Sequence, residues 1–216
     1  IFWCRWKLRS IRGTTGMRQS KVIGITGSIA AGKSTVCRYL EERYGIYRLD
    51  ADQVGHEMIE RPNIVKELTN AFGTAILDTA GRIDRRTLGG MVFTDPEKLA
   101  LLNSITHPAI CREIEERICS SRDPLILLEA IELLRTPLKA LAGEIWVVWA
   151  EDTVRVRRIM ARQGLSEAEA WDRVRGQWPQ ENYKKAADVL IDGGQPLEEM
   201  YRFLDRLMED NRGDSN

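Results

Sequence analysis

A glycine-bounded loop between a short apolar run and a helical segment constrains the fold more than any other part of this sequence. Residues 27–35 read Gly-Ser-Ile-Ala-Ala-Gly-Lys-Ser-Thr and fit the pattern G-x-x-x-x-G-K-S/T. The preceding run, 22–26, is typical of a buried strand. Two glycines at this spacing let the loop curl so that its backbone N–H groups point inward. The sequence predicts a phosphate-binding loop; the alternative is an ordinary glycine turn with an exposed lysine.

The chemistry of this loop predicts a role for each of its residues. We expect Lys33 to place its charge on the β- and γ-phosphates of ATP, and the Ser34 hydroxyl to ligate Mg²⁺. Thr35 is expected to donate to the α-phosphate. The predicted ATP contacts within the loop are Gly27, Ser28, Ile29, Ala30, Ala31, Gly32, Lys33, Ser34 and Thr35. This pattern favours a phosphotransferase that uses ATP with magnesium.

Short β-rich runs alternate with longer helical segments from Lys21 onwards, as in parallel sheets covered by helices. We predict an α/β fold of the P-loop NTPase type, a three-layer sandwich around a five-stranded parallel sheet. The predicted strands are 22–26, 46–49, 125–128, 145–149 and 189–191. Helix starts are predicted at Asp95-Pro96, at Asp152 and at Ser166, which has the capping-box partner Glu169, and a turn is predicted at 78–81.

We expect one kinase domain over residues 17–210 that carries two helical additions. The first, about 62–122, would be an acceptor-side region, and the second, about 152–185, is rich in Arg and Glu and could act as a lid. Residues 1–16 are basic and aromatic and precede Met17, which predicts a disordered extension. A membrane-surface or nucleic-acid arm is the alternative. Residues 211–216 are polar and are predicted to fray.

Charge and cysteine usage argue against several classes of protein. Lys plus Arg and Asp plus Glu number 32 each, so the whole chain has no polycationic character of the kind that nucleic-acid binders carry. The four cysteines form no Cys-x-x-Cys pair, and no apolar run approaches the ~20 residues of a membrane span. We expect a cytoplasmic protein without nucleic-acid or membrane partners, as a monomer or weak homo-oligomer.

Three acids follow predicted strands. Asp50 and Asp52 come after the second strand, and their two-residue spacing places both carboxylates on one side if the chain stays extended. One could orient the proton of an acceptor hydroxyl and the other could bind magnesium through water; the alternative is a helix N-cap. Glu129 ends the third strand and is either a nucleotide-site acid or a solvated strand terminus.

Three arginines in the predicted lid share one helix face. Arg155, Arg158 and Arg162 follow the spacing i, i+3, i+7. Such a face could close on ATP phosphates and stabilise the charge that moves during transfer. The alternative is a solvated face that pairs with Glu167 and Glu169.

Taken in order along the chain, these motifs resemble the dephospho-CoA kinase family over roughly residues 21–207. The matching segments are 24–27, 50–52, 72–73, 81–86 with Leu88, 92–93, 102–103, 107–108, Arg158, Arg162, Gln177, 187–188 and 191–194. The resemblance implies transfer of the ATP γ-phosphoryl group to the 3′-hydroxyl of dephospho-CoA. It also implies that Asp52 orients and deprotonates that hydroxyl, and that Arg158 and Arg162 contact ATP. Asp50, Arg86 and His107 would lie on the acceptor side, although His107 before Pro108 is also typical of a helix start.

The chain departs from the family pattern at three places. After the third strand, 129–135 lacks the usual proline and has Arg135 where a glutamate is common. Ser28 and Ala30 stand in the loop where glycine is common, and Gly193 replaces an asparagine. Because Ser and Ala fit wherever φ is negative, we expect the loop to keep its conformation and activity to survive.

Two other classes of function share parts of this pattern. Another small-metabolite or nucleoside-monophosphate kinase would use the same loop with a different acceptor. A regulatory NTP-binding switch would bind nucleotide without phosphorylating a small molecule. The Asp50–Asp52 pair and the inserted helices favour the kinase; a nucleic-acid-binding module would depend on residues 1–16 alone.

Overall fold

The computed structural model describes residues 20–213, so the predicted extension 1–16 and residues 214–216 lie outside the described residues. The five strands are β1 Lys21–Thr26, β2 Tyr47–Asp50, β3 Leu125–Glu129, β4 Glu144–Trp149 and β5 Val189–Asp192. The described helices are α1 Lys33–Tyr44, α2 Ala51–Met58, α3 Pro62–Phe72, α4 Arg85–Val92, α5 Pro96–Ser120, α6 Asp152–Gln163, α7 Glu167–Arg175, α8 Gln180–Lys185 and α9 Leu197–Gly213. Short 3₁₀ helices cover Thr74–Ile76, Leu133–Arg135 and Pro137–Leu141.

The chain divides into two compact units. We call residues 50–120 the helical unit and the remainder, up to Leu49 and from Ser121, the sheet unit. The helical unit begins twelve residues before the acceptor-side region predicted from the sequence and ends two residues earlier.

The sheet is five-stranded and parallel, with the order β2-β3-β1-β4-β5. This confirms the predicted α/β fold, and each predicted strand end lies within one residue of the observed one. The agreement has a physical reason. Strands that are covered on both faces consist of continuous apolar runs, which are easy to recognise in a sequence. β1 is such a strand, because it is buried from Val22 to Thr26.

Alternate residues of the central strands pack on opposite layers. Ile23 and Ile25 of β1 join a buried cluster in which α1 and α9 supply Val36, Leu40, Leu204 and other apolar side chains. On the other face, Gly24 lies against the 3₁₀ segments. A Cβ at Gly24 would stand 2.6 Å from Leu133 Cδ2 and 2.9 Å from Ala142 Cβ, so any larger residue would force these side chains to shift.

Side-chain caps start most helices of the helical unit. The carboxylates of Asp50, Asp84 and Asp95 each accept two backbone N–H groups at the starts of α2, α4 and α5. The capping prediction at Asp95 is therefore confirmed. The predicted turn at 78–81 is also present, since Gly81 N–H donates to the Asp78 carbonyl at 3.0 Å.

One predicted helix start is wrong. His107 and Pro108 lie inside the 25-residue helix α5 and do not begin a helix. The predicted start at Asp152 is confirmed, since Asp152 is the first residue of α6. The N-cap is Glu151, and the Asp152 carboxylate accepts from the side chains of Arg155 and Gln180 instead of capping the helix. At α7 the predicted capping box between Ser166 and Glu169 is confirmed.

The helix α9 continues to Gly213, three residues into the segment predicted to fray. Within residues 20–213, no helix combines the length and the apolar character that crossing a membrane requires.

Candidate active site

The loop between β1 and α1 depends on two glycines. Gly27 has φ +145° and Gly32 has φ +115°, both in the region that favours glycine. A Cβ at Gly27 would lie 2.0 Å from the Val148 carbonyl oxygen, so the loop passes directly against β4. The sheet and the first turn of α1 thus fix the two ends of the loop.

The Lys33 ammonium lies across this loop. Its Nζ donates to the carbonyl oxygens of Gly27 at 2.7 Å and Ser28 at 3.2 Å, and the residue is only 8% exposed. Ser34 is exposed and Thr35 is half-buried at the start of α1. The loop therefore presents a held cation and a hydroxyl at the positive end of a helix, the arrangement that attracts phosphate oxygens.

The backbone of Ala30 contradicts one expectation. Its φ is +59°, and it is the only non-glycine residue with positive φ within residues 20–213. The premise that position 30 has negative φ is therefore wrong. The left-handed conformation costs an L-residue ~1–2 kcal/mol, which glycine would avoid. Ser28 is nearly fully buried, and its hydroxyl has no hydrogen-bond partner among the described residues.

Side chains of the segment 152–177 hold the loop backbone. Gln177 Oε1 accepts from Ile29 N–H at 2.7 Å, and Arg155 Nε donates to the Ile29 carbonyl at 3.0 Å. Arg158 Nη1 donates to the carbonyls of Ala30 and Ala31 at 3.1 Å each. Its Nη2 donates to the Gly193 carbonyl at 2.6 Å.

The three arginines share a helix face but have different surroundings. Arg155 is 2% exposed, Arg158 is half-buried and Arg162 is exposed. The alternative pairing with Glu169 does not occur, because that carboxylate accepts from Ser166 in the capping box. The sequence did not distinguish the three arginines, because their spacing predicts a shared helix face but not how deeply each side chain is buried.

Glu129 is not a solvated strand terminus, so that alternative is wrong. It is 6% exposed, and its carboxylate accepts from Arg48 Nε at 2.9 Å and Nη2 at 2.6 Å. The neighbouring thiol of Cys37 is fully buried; burial, and then the Glu129 charge and hydrogen bond, raise the pKa of Cys37 well above its usual value. Sequence reasoning missed Arg48, although an arginine inside a strand already implies an acidic partner.

In the helical unit, Asp50 and Asp52 have different roles. The Asp50 carboxylate accepts from the N–H groups of Asp52 and Gln53 at 2.9 and 3.1 Å, so it is the N-cap of α2. Asp52 is exposed in the first helical turn. The extended conformation thus ends at Asp50, and the expectation that two-residue spacing puts both carboxylates on one side is wrong.

The other two predicted acceptor-side residues also belong to the helical unit. Arg86 is exposed in the first turn of α4, where its N–H donates to Asp84 Oδ1 at 3.0 Å. His107 is half-buried in the middle of α5.

Within residues 20–213, no group of three or more His, Cys, Asp and Glu side chains is arranged to hold a metal ion. The exposed hydroxyl of Ser34 is a suitable single oxygen ligand for magnesium that arrives with a nucleotide. Mg²⁺ in such sites keeps several waters and takes its other ligands from substrate phosphates.

The family model and the sequence relatives agree on one family. The family model described as dephospho-CoA kinase matches residues 21–199. A dephospho-CoA kinase from Carboxydothermus hydrogenoformans is 41% identical over 181 residues, which are 82% of this chain and 87% of that protein.

Solved structures extend the agreement to three dimensions. A crystal structure from Thermus thermophilus has a TM-score of 0.76 and 35% identity, with 89% of this chain and 98% of that one covered. Dephospho-CoA kinase from Campylobacter jejuni has a TM-score of 0.61 and 25% identity, with 89% and 97% covered. The family model and the first relative each span more than four-fifths of the chain, and on these grounds the chain belongs to the dephospho-CoA kinase family.

Proposed function

We propose that this protein transfers the γ-phosphoryl group of ATP to the 3′-hydroxyl of dephospho-CoA, giving coenzyme A and ADP. The observation that carries the proposal is the phosphate loop with the Lys33 ammonium lying across it, in a chain of this family. Phosphoryl transfer needs positioning and charge stabilisation more than covalent chemistry, and a preformed loop supplies both.

The donor side would use the loop and the arginines. Loop N–H groups would bind phosphate oxygens, and Lys33 would exchange its carbonyl partners for the β- and γ-phosphates. Arg158 already lies on the loop carbonyls and has further N–H groups to offer a nucleotide. Arg162, one turn along and exposed, would add a second guanidinium. When bound, Mg²⁺ would neutralise phosphate charge, with Ser34 as its protein ligand.

The acceptor side would use the helical unit. Asp52 would orient the 3′-hydroxyl and accept its proton as the bond to phosphorus forms. Asp50 would act indirectly, since its carboxylate caps α2 and so fixes the turn that carries Asp52. Arg86 and His107 would contact the acceptor. We further propose a cytoplasmic location and a monomer or weak homo-oligomer.

The test is ADP release by the purified protein with ATP and magnesium. Dephospho-CoA is offered in parallel with nucleoside monophosphates and small hydroxylated metabolites, and the product is identified by mass spectrometry. We expect ADP and coenzyme A with dephospho-CoA alone. Turnover only on another acceptor would leave a P-loop kinase of different specificity, and nucleotide binding without transfer would favour a regulatory switch.

Two variants separate binding from chemistry. Lys33→Ala should abolish transfer and weaken ATP binding, whereas Asp52→Asn should spare binding and lower kcat by ~10²–10⁴-fold, the usual contribution of a general base. The exposed residues Lys139 and Asp210 provide the matched controls Lys139→Ala and Asp210→Asn. Equal losses of ATP affinity and kcat in Asp52→Asn would contradict its role.

A further inference from the structure

The most unusual backbone in the described chain lies at the point where the most buried arginine binds. Ala30 has φ +59°, and the adjacent carbonyl of Ile29 accepts from Arg155 Nε at 3.0 Å. Arg155 is 2% exposed. A non-glycine residue returns to negative φ unless its surroundings prevent it. Contacts of the neighbouring peptides prevent this in the loop.

Ala30 lies between two peptide groups, and its φ angle is the rotation about the bond from the preceding peptide nitrogen to Cα. Side chains bind both of these peptide groups. The preceding peptide is fixed through the Ile29 carbonyl by Arg155. The following peptide is fixed through the Ala30 carbonyl by Arg158 Nη1 at 3.1 Å. Gln177 Oε1 holds the N–H of Ile29 at 2.7 Å, one peptide earlier.

The Ala31 N–H also donates to the Ser28 carbonyl at 3.3 Å, which closes a turn with Ile29–Ala30 as its central peptide. Rotation of that central peptide alone would take Ala30 out of the left-handed region while this bond is kept.

The Arg155 guanidinium is itself anchored to the sheet. Its Nη1 donates to Asp152 Oδ1 at 2.7 Å, and the same oxygen accepts from Gln180 Nε2 at 2.8 Å. Gln180 Nε2 also donates to the carbonyl of Ala150, the residue that follows β4, at 3.0 Å. This chain of contacts connects the loop to the end of β4 without passing through Arg158.

Arg155 is poorly satisfied for a buried cation. Its Nη2 is buried and has no hydrogen-bond partner among the described residues, and its carboxylate partner Asp152 has a side chain that is 49% exposed. An unsatisfied buried donor is destabilising, so the ion pair alone does not account for the placement. The other polar contact of Arg155 among the described residues is with the loop, through Nε and the Ile29 carbonyl.

We propose that Arg155 is a positioning residue for ATP: it holds the Ile29–Ala30 peptide so that the phosphate loop keeps its nucleotide-binding conformation before ATP arrives. Preorganisation of this kind raises affinity because the ordering cost is met before binding. The inference rests on the proposed function only in taking ATP as the ligand. It adds a role that differs from those of Arg158 and Arg162, which would contact the phosphates.

The test is a double-variant cycle between Arg155 and Ala30. Arg155→Met keeps the length of the side chain and removes its donors, and we expect the Kd for ATP to rise about tenfold, the equilibrium equivalent of strain at one left-handed residue. With Ala30→Gly in the background, position 30 adopts positive φ without strain. In that background, Arg155→Met should raise the Kd for ATP by less than about threefold. Ala30→Gly alone is the parent for this second comparison, so its own Kd for ATP enters only as the reference value.

Arg157→Met is the matched control, because Arg157 is exposed on the same helix. Binding is measured by calorimetry with ATP and with ADP, so the result does not depend on the identity of the acceptor. If Arg155→Met does not fold, Arg155→Lys replaces it, which keeps the charge and removes the Nε donor to the Ile29 carbonyl. A loss that Ala30→Gly leaves unchanged, or no loss at all, would overturn the proposal, since a purely structural role gives no rescue at position 30.

Discussion

Removal of Arg48 should strongly destabilise the protein, because it leaves a carboxylate buried without its ion pair. Glu129 has a side chain that is 8% exposed and accepts two hydrogen bonds from Arg48, at 2.9 and 2.6 Å. Loss of one partner of a buried pair costs ~3–5 kcal/mol. Because the Arg48 side chain is 24% exposed, we expect the cost of Arg48→Met to lie near the lower end of this range, at about 3 kcal/mol. For a chain of this size the melting temperature should fall by roughly 6–12 °C.

The measurement is urea and thermal unfolding of three variants, followed by circular dichroism. Arg48→Met and Glu129→Gln are compared with the double variant, which should recover much of the loss because no buried charge remains unpaired. Arg38→Met, on the exposed side of α1, controls for loss of an arginine as such. A loss under about 1 kcal/mol in Arg48→Met, or a double variant as unstable as the sum of the singles, would refute the reasoning.

Two further predictions concern titrating groups. Hydrogen bonds from Tyr39 at 2.6 Å and Tyr44 at 2.5 Å lower the pKa of Asp205, while burial and that carboxylate raise the pKa of Tyr39 to about 12. A carboxylate with a lowered folded pKa stabilises above its unfolded pKa of ~3.9 and less as the pH falls. The free energy of unfolding of Asp205→Asn should therefore fall furthest below that of the parent near neutral pH and least in acid. Urea titrations at both pH values measure this difference, and equal losses would contradict the prediction. Among the cysteines of residues 20–213, exposed Cys119 should react with iodoacetamide first and buried Cys37 only after unfolding, as measured by peptide mass spectrometry.

The sheet and the loop were predictable because their signals are local. Parallel strands covered on both faces give continuous apolar runs, and the glycines of the loop are required by φ angles that other residues avoid. The caps at Asp95 and Ser166 follow from side chains that reach N–H groups two or three residues away. In each case the residues that decide the structure lie within a few positions of one another.

Features that depend on distant residues were not predictable. Arg48 and Glu129 are 81 positions apart, and only the adjacency of β2 and β3 in the sheet brings them together. The roles of Asp50 and Asp52 depended on where the strand ends, and local sequence favoured strand continuation and capping about equally. His107 before Pro108 has the local pattern of a helix start, yet α5 runs through both residues.

Ala30 and Gly193, two of the departures expected from the sequence, bind the same guanidinium. Arg158 binds the carbonyls of Ala30 and Ala31 through Nη1 and the carbonyl of Gly193 through Nη2. A Cβ at Gly193 would lie 2.0 Å from the Ala31 carbonyl oxygen, so an asparagine there would displace either the loop or its own segment. A side chain is thus present at position 30, where the backbone favours glycine, and absent at position 193, where the loop comes closest. Because both positions bind the same arginine, a change at either one alters the surroundings of Arg158.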